Sequence, residues 1–583
     1  MILQVLTDYY EVMAARGLAA PEGWCRAKVN FALVLEEDGT LSGLMNLKEQ
    51  QADGTERPRV LTVPEQEKRT SGIVPHFLCD TASYLLGIDG KGNPERAKKC
   101  FAASAALHRR LLDKADSPAA RAVCAFFDRW DPERASESPA LEGREDELKQ
   151  GGNLVFRFAG SLVHETEEIR ALWQESRRDV SLPQGRCLVT GKVGPIARIH
   201  TSIQGVKGAQ SSGAALVSFN APAFESDGKA QNYNAPVSCE AAFAYTTALN
   251  VLLADREHVW VLGDTTVVCW AKDGESAYQD AFAAMINAGG EGDAATVFSA
   301  MDKLANGKFF DFEQIRLQPE MEFYILGLAP NAGRLAVRFF YRSTFGDLAK
   351  HYQEHYKRLD IMKPAYDSRE HLSVWHLLRE TVNSHSKEAK VSPLLPAALF
   401  RSILEGTAYP AALLNGVWLR IRAEGEITRG RAAIIKAYWL KRKKDDSTMA
   451  NEEVWTVKLN EECSYPPYVL GRIFRVLESI QQAASPGINA TIKDRFFNSA
   501  CATPAAVFSV LLRLKNSHMR VLNRDKKGLA VSYEKRLTEL AGKLNETLPV
   551  RLNREEQSAF VLGYYHERQQ QFATKEKEKE KED

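Results

Sequence analysis

EFYILGLAPNAGRLAVRFFYRS, residues 322–343, sets two extended apolar runs on either side of Pro330, Asn331, Ala332 and Gly333. Leu335, Val337 and Phe339 alternate with polar or small residues in the second run, the period-two signature of a strand with one buried face. The segment reads as a β-hairpin with 330–333 as its turn. Two further stretches follow the same logic. VNFALVLEEDGTLSGLMNL (29–47) breaks at Asp38-Gly39, a dipeptide suited to the left-handed backbone of a tight hairpin turn, and VWVLGDTTVVCWA (259–271) breaks at Gly263-Asp264. Between them, FAASAALHRRLLDKA (101–115) and EAAFAYTTALNVLLADR (240–256) read as helices.

Toward the C terminus the period changes. Beyond about Leu372, apolar residues recur every three or four positions. Pro466-Pro467 opens a helix striped by Leu470, Ile473, Phe474, Leu477 and Ile480, with Arg472, Arg475 and Glu478 expected on its outer side. Pro504 opens a second helix through Val507, Phe508, Leu511, Leu512 and Leu514; Leu537, Leu540 and Leu544 mark a third; Asn553, with Glu556 three residues on, starts a fourth with a near capping box. Four helices suffice for a bundle. The expected fold class is α+β: a mixed α/β N-terminal region with β-hairpins over 1–371, a helical connecting region with a basic linker over 372–448, and an all-α C-terminal helical bundle over 449–583. The polar run KRKKDDSTMANEE (441–453) supplies the last boundary, and KEKEKEKED (575–583) has no apolar position to bury.

A chain of 583 residues with 44% hydrophobic and 26% charged residues has the balance of an ordered protein with more than one packed unit. No apolar run approaches the roughly 20 residues that span a bilayer. The start, MILQVLTDYYEVMAARG, carries acids where a secretory signal is basic. The expectation is a cytoplasmic protein with no membrane partner. Nine cysteines lack any CxxC pair and are expected to be reduced core residues. A net charge of +1 is not that of a free-standing DNA binder. Its distribution says more: no Asp or Glu occurs between Val180 and Phe224, where Arg186, Lys192, Arg198 and Lys207 lie, and from Arg401 to Lys444 basic residues outnumber acids. Local positive patches are what phosphate backbones need.

Short catalytic motifs fail on inspection. HYQEH (351–355) has the order of inverted zinc proteases, but a distal carboxylate ligand is needed, and Lys350, Tyr352, Tyr356 and Lys357 make an ordinary amphipathic helix. GRCLVTGKV (185–193) has one glycine spacing too many for a phosphate-binding loop, and Val193 stands where Ser or Thr should hold magnesium. None of the twelve histidines precedes an Asp. No catalytic residue, metal site or cofactor is assigned. The informative stretch is 185–253: glycines at 205, 208 and 213 permit close backbone approach to a ligand, Gln204, Lys207, Gln210, Ser211 and Ser212 offer donors, and Lys229, Gln231, Asn232 and Asn234 add an amide-rich loop. The same residues also suit a glycine-rich loop capped by its own amides.

VTGKVGPIARIHTSIQGVKGAQSSGAALVSFNAPAFESDGK (189–229) and NAPVSCEAAFAYTTALN (234–250) resemble the core signature of the large-subunit family of type I-C CRISPR surveillance complexes (Cascade). SGIVPHFLCDTASYLLG (71–87), GRLAVRFFYRSTFGDL (333–348), YPAALLNGVWLRIRAE (409–424) and the run PPYVLGRIF through AVFSVLL (466–512) are similar to that family in the same order, so the resemblance spans nearly the whole chain. One departure is Asp227, where the family pattern leads one to expect an aromatic residue.

The resemblance implies a non-catalytic subunit that joins CRISPR RNA-bound backbone subunits and recognises the target-flanking motif, the PAM, in double-stranded DNA. It would assist duplex opening and R-loop formation by the guide RNA, hold the displaced strand and recruit a helicase-nuclease. It also implies small subunits made from the C-terminal bundle, for which Met449 is one possible start. An RNA-processing nuclease subunit is the alternative reading, and a zinc peptidase built on His351 and His355 a distant third.

Two sets of residues are candidates for duplex and PAM contact. Arg69 and Ser71, before an ordered helix, are one; Gln204, Lys207, Gln210, Lys229, Asn232 and Asn234 are the other. Arg472, Arg475, Lys493 and Arg495, near Phe496 and Phe497, are candidates for the displaced strand, where charge and stacking act together. Each has a structural alternative: a solvated helix approach for the first set and core phenylalanines for the last. His200 reads as a satisfied core histidine.

Overall fold

The computed structural model describes residues 1–583 except 51–53, 67–68, 70–71, 91, 114, 178–180, 289–293, 313, 384, 387–389, 446–451 and 583. Ser71, Met449 and the 448/449 boundary therefore lie outside the described residues. The α+β class holds: small sheets dominate the first part, and no strand follows Arg334–Thr344 among the described residues.

The chain divides into two compact units that interleave in sequence, Met1–Thr201 with Ser218–Val251, and Ser202–Val217 with Leu252–Asp583. The first is organised on the strand Trp24–Leu35. It pairs antiparallel with Leu41–Asn46 and Arg59–Pro64 and parallel with Asn153–Phe158, which in turn pairs with Cys79–Thr81. The Asp38-Gly39 turn lies where expected, with Leu35 opposite Leu41. Gly39 has φ +83°, and a Cβ there would stand 2.4 Å from the Phe126 nitrogen, so both backbone conformation and the neighbouring helix demand glycine. Alternation, shifted by an irregularity in the pairing between Val29 and Phe31 that puts Val29 on the side of Ala32, explains the two covered faces. Phe31, Leu33, Leu35 and Phe156 pack under Pro94–Leu112 and Pro118–Arg129 with Phe101, Phe126 and Phe127, while Val29, Ala32 and Val155 join Leu61 and Val63 on the other side. Each large side chain so buried contributes about 1.5–3 kcal/mol.

The second unit holds a four-stranded antiparallel sheet in the order Trp260–Leu262, Thr265–Ala271, Glu322–Asn331, Arg334–Thr344. Pro330 pairs with Leu335 and Asn331 with Arg334, so the turn is Ala332-Gly333 alone, tighter than the sequence suggests. The expected Leu335, Val337, Phe339 face is corrected too. A bulge falls between the Gly327–Phe339 and Leu328–Val337 pairs, leaving Val337 and Arg338 consecutively exposed while Leu335 and Phe339 stay buried. The Phe339 ring lies over Gly327, where a Cβ would meet it at 2.5 Å.

Phe323, Ile325, Phe339 and Tyr341 bury against the helices Ala277–Ile286, Phe345–Leu359 and Leu395–Leu404. From there one hydrophobic core runs without a break from Leu262 to Tyr565, across both 371/372 and 448/449. Trp439 stacks on Trp455, and the Tyr565 hydroxyl donates to the Met362 carbonyl at 2.7 Å. Arg429–Asp445 continues into the first five residues of the run read as a linker. At the centre lies Pro466–Ala484, packed so closely on Arg554–Glu582 that a Cβ on Gly471 would meet the Phe560 carbonyl at 2.0 Å, and one on Gly563 the Tyr468 carbonyl at 2.1 Å. The predicted cap of the last helix is present: Asn553 N–H donates to Glu556 at 2.6 Å, and Glu556 N–H to Asn553 at 3.0 Å.

Candidate nucleic-acid interface

Residues 184–236, acid-free as far as Phe224, make three local structures, two in the first unit and one in the second. The first is a hairpin, Gln184–Arg186 against Val193–Pro195, with Arg186 opposite Val193. Its end is tied down by Cys187 N–H to the Lys192 carbonyl at 2.8 Å and Gly191 N–H to the Cys187 carbonyl at 2.9 Å. Leu188 N–H reaches the Pro236 carbonyl at 2.9 Å, Ala197 N–H the Val237 carbonyl at 2.9 Å, and Ile196 bridges Ser238. Cys187 is buried beneath this turn. Burial pushes its thiol up, but hydrogen bonds from Ser238 and Thr190 outweigh burial and bring it down to about 7. Lys192 projects into solvent with no carboxylate within ion-pair distance among the described residues.

The second structure, 218–236, uses its amides on itself. Asn232 is 3% exposed, and its Oδ1 accepts from Phe219 N–H at 3.3 Å. Asn234 accepts from Ser226 N–H at 2.8 Å and donates to the carbonyls of Lys229 and Gln231 at 2.6 and 2.8 Å. Both are loop clamps, and Lys229 is the side chain they leave outside. Asp227 adopts φ +53°, a left-handed conformation that Asp tolerates better than the aromatic residue expected there. His200 is buried with Nδ1 2.7 Å from the Tyr245 hydroxyl, and burial lowers its imidazole to about 4.

The third, 202–217, belongs to the other unit. Ile203 and Ala214 exchange N–H···O bonds of 2.9 Å, Leu335 N–H donates to the Ala215 carbonyl at 2.9 Å, and Lys207 N–H donates to Thr266 Oγ1 at 3.0 Å. Gly213, at φ +90°, would drive a Cβ to 2.8 Å from the Ile203 carbonyl, so this glycine serves the closed loop itself. Gln204, Lys207 and Gln210 lie exposed along the loop. The six residues grouped in the sequence thus divide three and three between the units.

Arg69 is a pin of the first unit. Its guanidinium donates to the Val74 carbonyl at 2.6 Å, pairs with fully buried Asp80, and stacks 3.9 Å from the Tyr84 ring centroid.

The helical candidates separate in the same way. Arg472 and Arg475, expected on the outer side of their helix, are 0% and 7% exposed, because every residue from Pro467 through Ile480 is enclosed by neighbouring helices. Arg472 donates to Glu567 at 3.1 Å and to the Asn460 carbonyl at 3.1 Å, and it also pairs with Glu461. Arg536 joins both carboxylates at 2.8–2.9 Å. Burial pushes the Glu461 carboxyl up, but Arg536 and Arg472 together hold it below its ordinary range. Arg475 donates to Glu478 at 2.7 Å, and Glu478 also accepts from Tyr564 at 2.7 Å. Lys493 is half-buried and Arg495 exposed; Phe497 is core, 5.5 Å from the Phe474 ring, and Phe496 packs at its margin.

In the basic run 401–444, Arg401, Arg422 and Arg442 are exposed but four cations are internal: Arg429 pairs with Asp367 at 3.2 Å, Arg431 with Glu424 at 2.5 Å, Lys441 donates to the Gly406 carbonyl, and Lys436 is the fourth. Buried Lys436 has its ammonium lowered to about 8 by desolvation. In HYQEH, His355 Nδ1 lies 2.7 Å from the Tyr409 hydroxyl and its imidazole is lowered to about 3 by burial. His351 Nδ1 reaches the Leu404 carbonyl at 2.6 Å, and Glu354 pairs with Arg358.

One basic surface escaped the sequence reading. A cleft of about 670 Å³ in the first unit is lined by Arg26, Lys28, Arg57 and Arg59, with Glu49 bound to Arg59 at 3.5 Å. Its signal was Arg26 and Lys28 alternating with inward Ala27 and Val29 along one strand. No helix among the described residues is long and apolar enough to cross a membrane.

Over nearly its whole length this α+β chain compares with the CRISPR-associated proteins. Residues 6–572 match the family described as CRISPR-associated protein (Cas_Csd1), and the chain belongs to that family. No curated protein matches it.

Proposed function

We propose that the chain is the large subunit of a type I-C CRISPR surveillance complex. It recognises the PAM in double-stranded DNA beside guide-RNA pairing, assists opening of the duplex, holds displaced strand and recruits a separate helicase-nuclease, with no catalysis of its own. Membership of the CRISPR-associated family supports this reading. The observation that carries it is the acid-free stretch 181–224, whose backbone is tied into loops while Lys192 and Lys207 stand outside with no carboxylate to satisfy them among the described residues. Such cations favour phosphate over protein surface because they have no internal counter-charge to give up. Lys229 and Gln210, also exposed, extend the duplex-facing set, and the cleft of Arg26 and Lys28 offers a second phosphate-compatible surface. Guanidiniums locked in buried ion pairs have no face to offer a strand, so displaced-strand contact falls to Lys493 and Arg495 instead of Arg472 and Arg475. The C-terminal helices, made separately, would serve as small subunits.

The test is binding of a guide-loaded complex to a matched duplex at fixed salt, with and without this chain and with the flank intact or scrambled. Tight binding is expected only with both the chain and an intact flank. Binding indifferent to the chain would place recognition elsewhere.

A further inference from the structure

His258, in the second unit, is held between two carboxylates. Its Nδ1 lies 2.7 Å from Asp255 Oδ2 and its Nε2 2.8 Å from Asp280 Oδ1, and the residue is 8% exposed. Ionised carboxylates only accept hydrogen bonds, so both ring nitrogens must donate. A neutral imidazole has one N–H, and this geometry therefore calls for the imidazolium. Burial pulls the ring down, but Asp255 and Asp280 outweigh it and hold the imidazole above its ordinary value of 6.5. The groups around it add no competing charge. Asp280 comes from the helix Ala277–Ile286, and the strand Thr265–Ala271 contributes the Cys269 thiol, which burial and the same two carboxylates push up and keep neutral. Arg256 and Glu257 lie exposed on the turn itself.

The two ends of this clamped turn form the floor of the loop 202–217. Leu253, just before Asp255, lies so close under the loop that a Cβ on Gly205 would stand 3.2 Å from its carbonyl oxygen. Val261, just after His258, is paired with Thr266, and Thr266 Oγ1 accepts the Lys207 N–H at 3.0 Å. The loop thus rests on both sides of the turn that His258 ties to Ala277–Ile286, and all of these residues belong to one unit.

Resting on the function proposed above, we propose that His258 is a positioning residue for duplex contact: its imidazolium, clamped between Asp255 and Asp280, fixes the floor that presents Gln204, Lys207 and Gln210, and the loop loosens when the ring loses its second proton. The neutral ring keeps one donor and turns a lone pair on the other carboxylate. Because the folded-state value is raised, the clamp is fully formed below 6.5 and is lost as pH rises through that raised value.

The experiment compares wild-type chain with His258→Gln and, at a half-exposed carboxylate that leaves the buried ring in place, Asp255→Asn. Amide hydrogen exchange of the peptide carrying Lys207 is read on the full chain, and affinity for matched duplex on the guide-loaded complex at fixed salt, both between about pH 6 and pH 9. Cys187 also titrates near neutrality, so the wild-type-to-variant ratio at each pH is the measure. At the acid end both variants should exchange about fivefold faster and bind duplex about fivefold more weakly than wild type, and at the alkaline end both ratios should fall to one. Exchange ratios of one throughout overturn the clamp. Ratios that stay constant with pH overturn it as well, since a packing role would not follow the proton. A loop that loosens as expected while duplex affinity stays unchanged also overturns the proposal, and places the fault in the DNA-binding role of the loop and not in the clamp.

Discussion

Two regions of this chain are basic in sequence and opposite in physics. In the helical region, the guanidiniums of Arg472, Arg475, Arg429 and Arg431 are buried and joined to carboxylates, that of Arg475 on its own helix and the others from other helices or turns. In the acid-free segment, Lys192 and Lys207 project from loops fixed by backbone hydrogen bonds. A buried guanidinium is held by the fold and belongs to it, whereas an exposed ammonium on a rigid loop costs the fold little and remains available to a partner. Positive residues in sequence are therefore poor evidence of a binding surface until their counter-charges are located.

Arg472 offers the most direct challenge to that contrast. Arg472→Met leaves buried Glu567 with Arg536, which it shares with half-exposed Glu461, and equilibrium denaturation should show a loss of about 3 kcal/mol. A loss near zero would mean the network is solvated and the arginine available. Arg69 probes the contrast from the other side, since it is a DNA candidate by sequence and a structural pin by geometry. Arg69→Met strips buried Asp80 of its cation but leaves the N–H donors of His76 and Thr81, at 2.8 and 2.7 Å, so a smaller loss of about 1–3 kcal/mol is expected in the same measurement. The smallest stability effect belongs to Lys192→Gln combined with Lys207→Gln, within about 0.5 kcal/mol. The same double variant should reduce the slope of log affinity against log salt for duplex by roughly 0.9 for each phosphate it no longer neutralises. An unchanged slope, measured in the assembled complex, would remove both lysines from the interface.

Local signals carried much of the fold. Asp38-Gly39 and Gly263-Asp264 predicted hairpins because turn chemistry is local, and Pro466, Pro504 and the Asn553/Glu556 pair marked helix starts for the same reason. What failed depended on partners distant in sequence. A stripe of Leu470, Ile473 and Phe474 says that one face of a helix is buried, but only Glu567 and Arg536, from other helices, decide that Arg472 is buried as well. The bulge at Arg338 leaves no compositional trace. In the candidate site, residue types suited to nucleic acid proved equally suited to closing loops: Asn232 and Asn234 serve their own backbone, and Gly213 its own turn. Lys207, Gln210 and Lys229 kept their place at the surface, and the exposed Leu188 and Val193 of the hairpin 184–195 carried no sequence signal separable from core residues.

The interleaving of the two units sets a schedule for synthesis. Residues 202–217 leave the ribosome between parts of the first unit, yet Ala215 pairs with Arg334 and with nothing made earlier in its own unit. Roughly 120 residues separate the two, which at about 5–20 residues per second is a delay on the order of 6–24 s. During that interval the first unit can complete itself through Val251 around a segment that must wait. SIQGVKGAQSSGAALV, short of aromatic residues and of any long apolar run, is well suited to waiting without sticking. The composition that leaves this loop available to a ligand in the finished protein also keeps it harmless in the unfinished one.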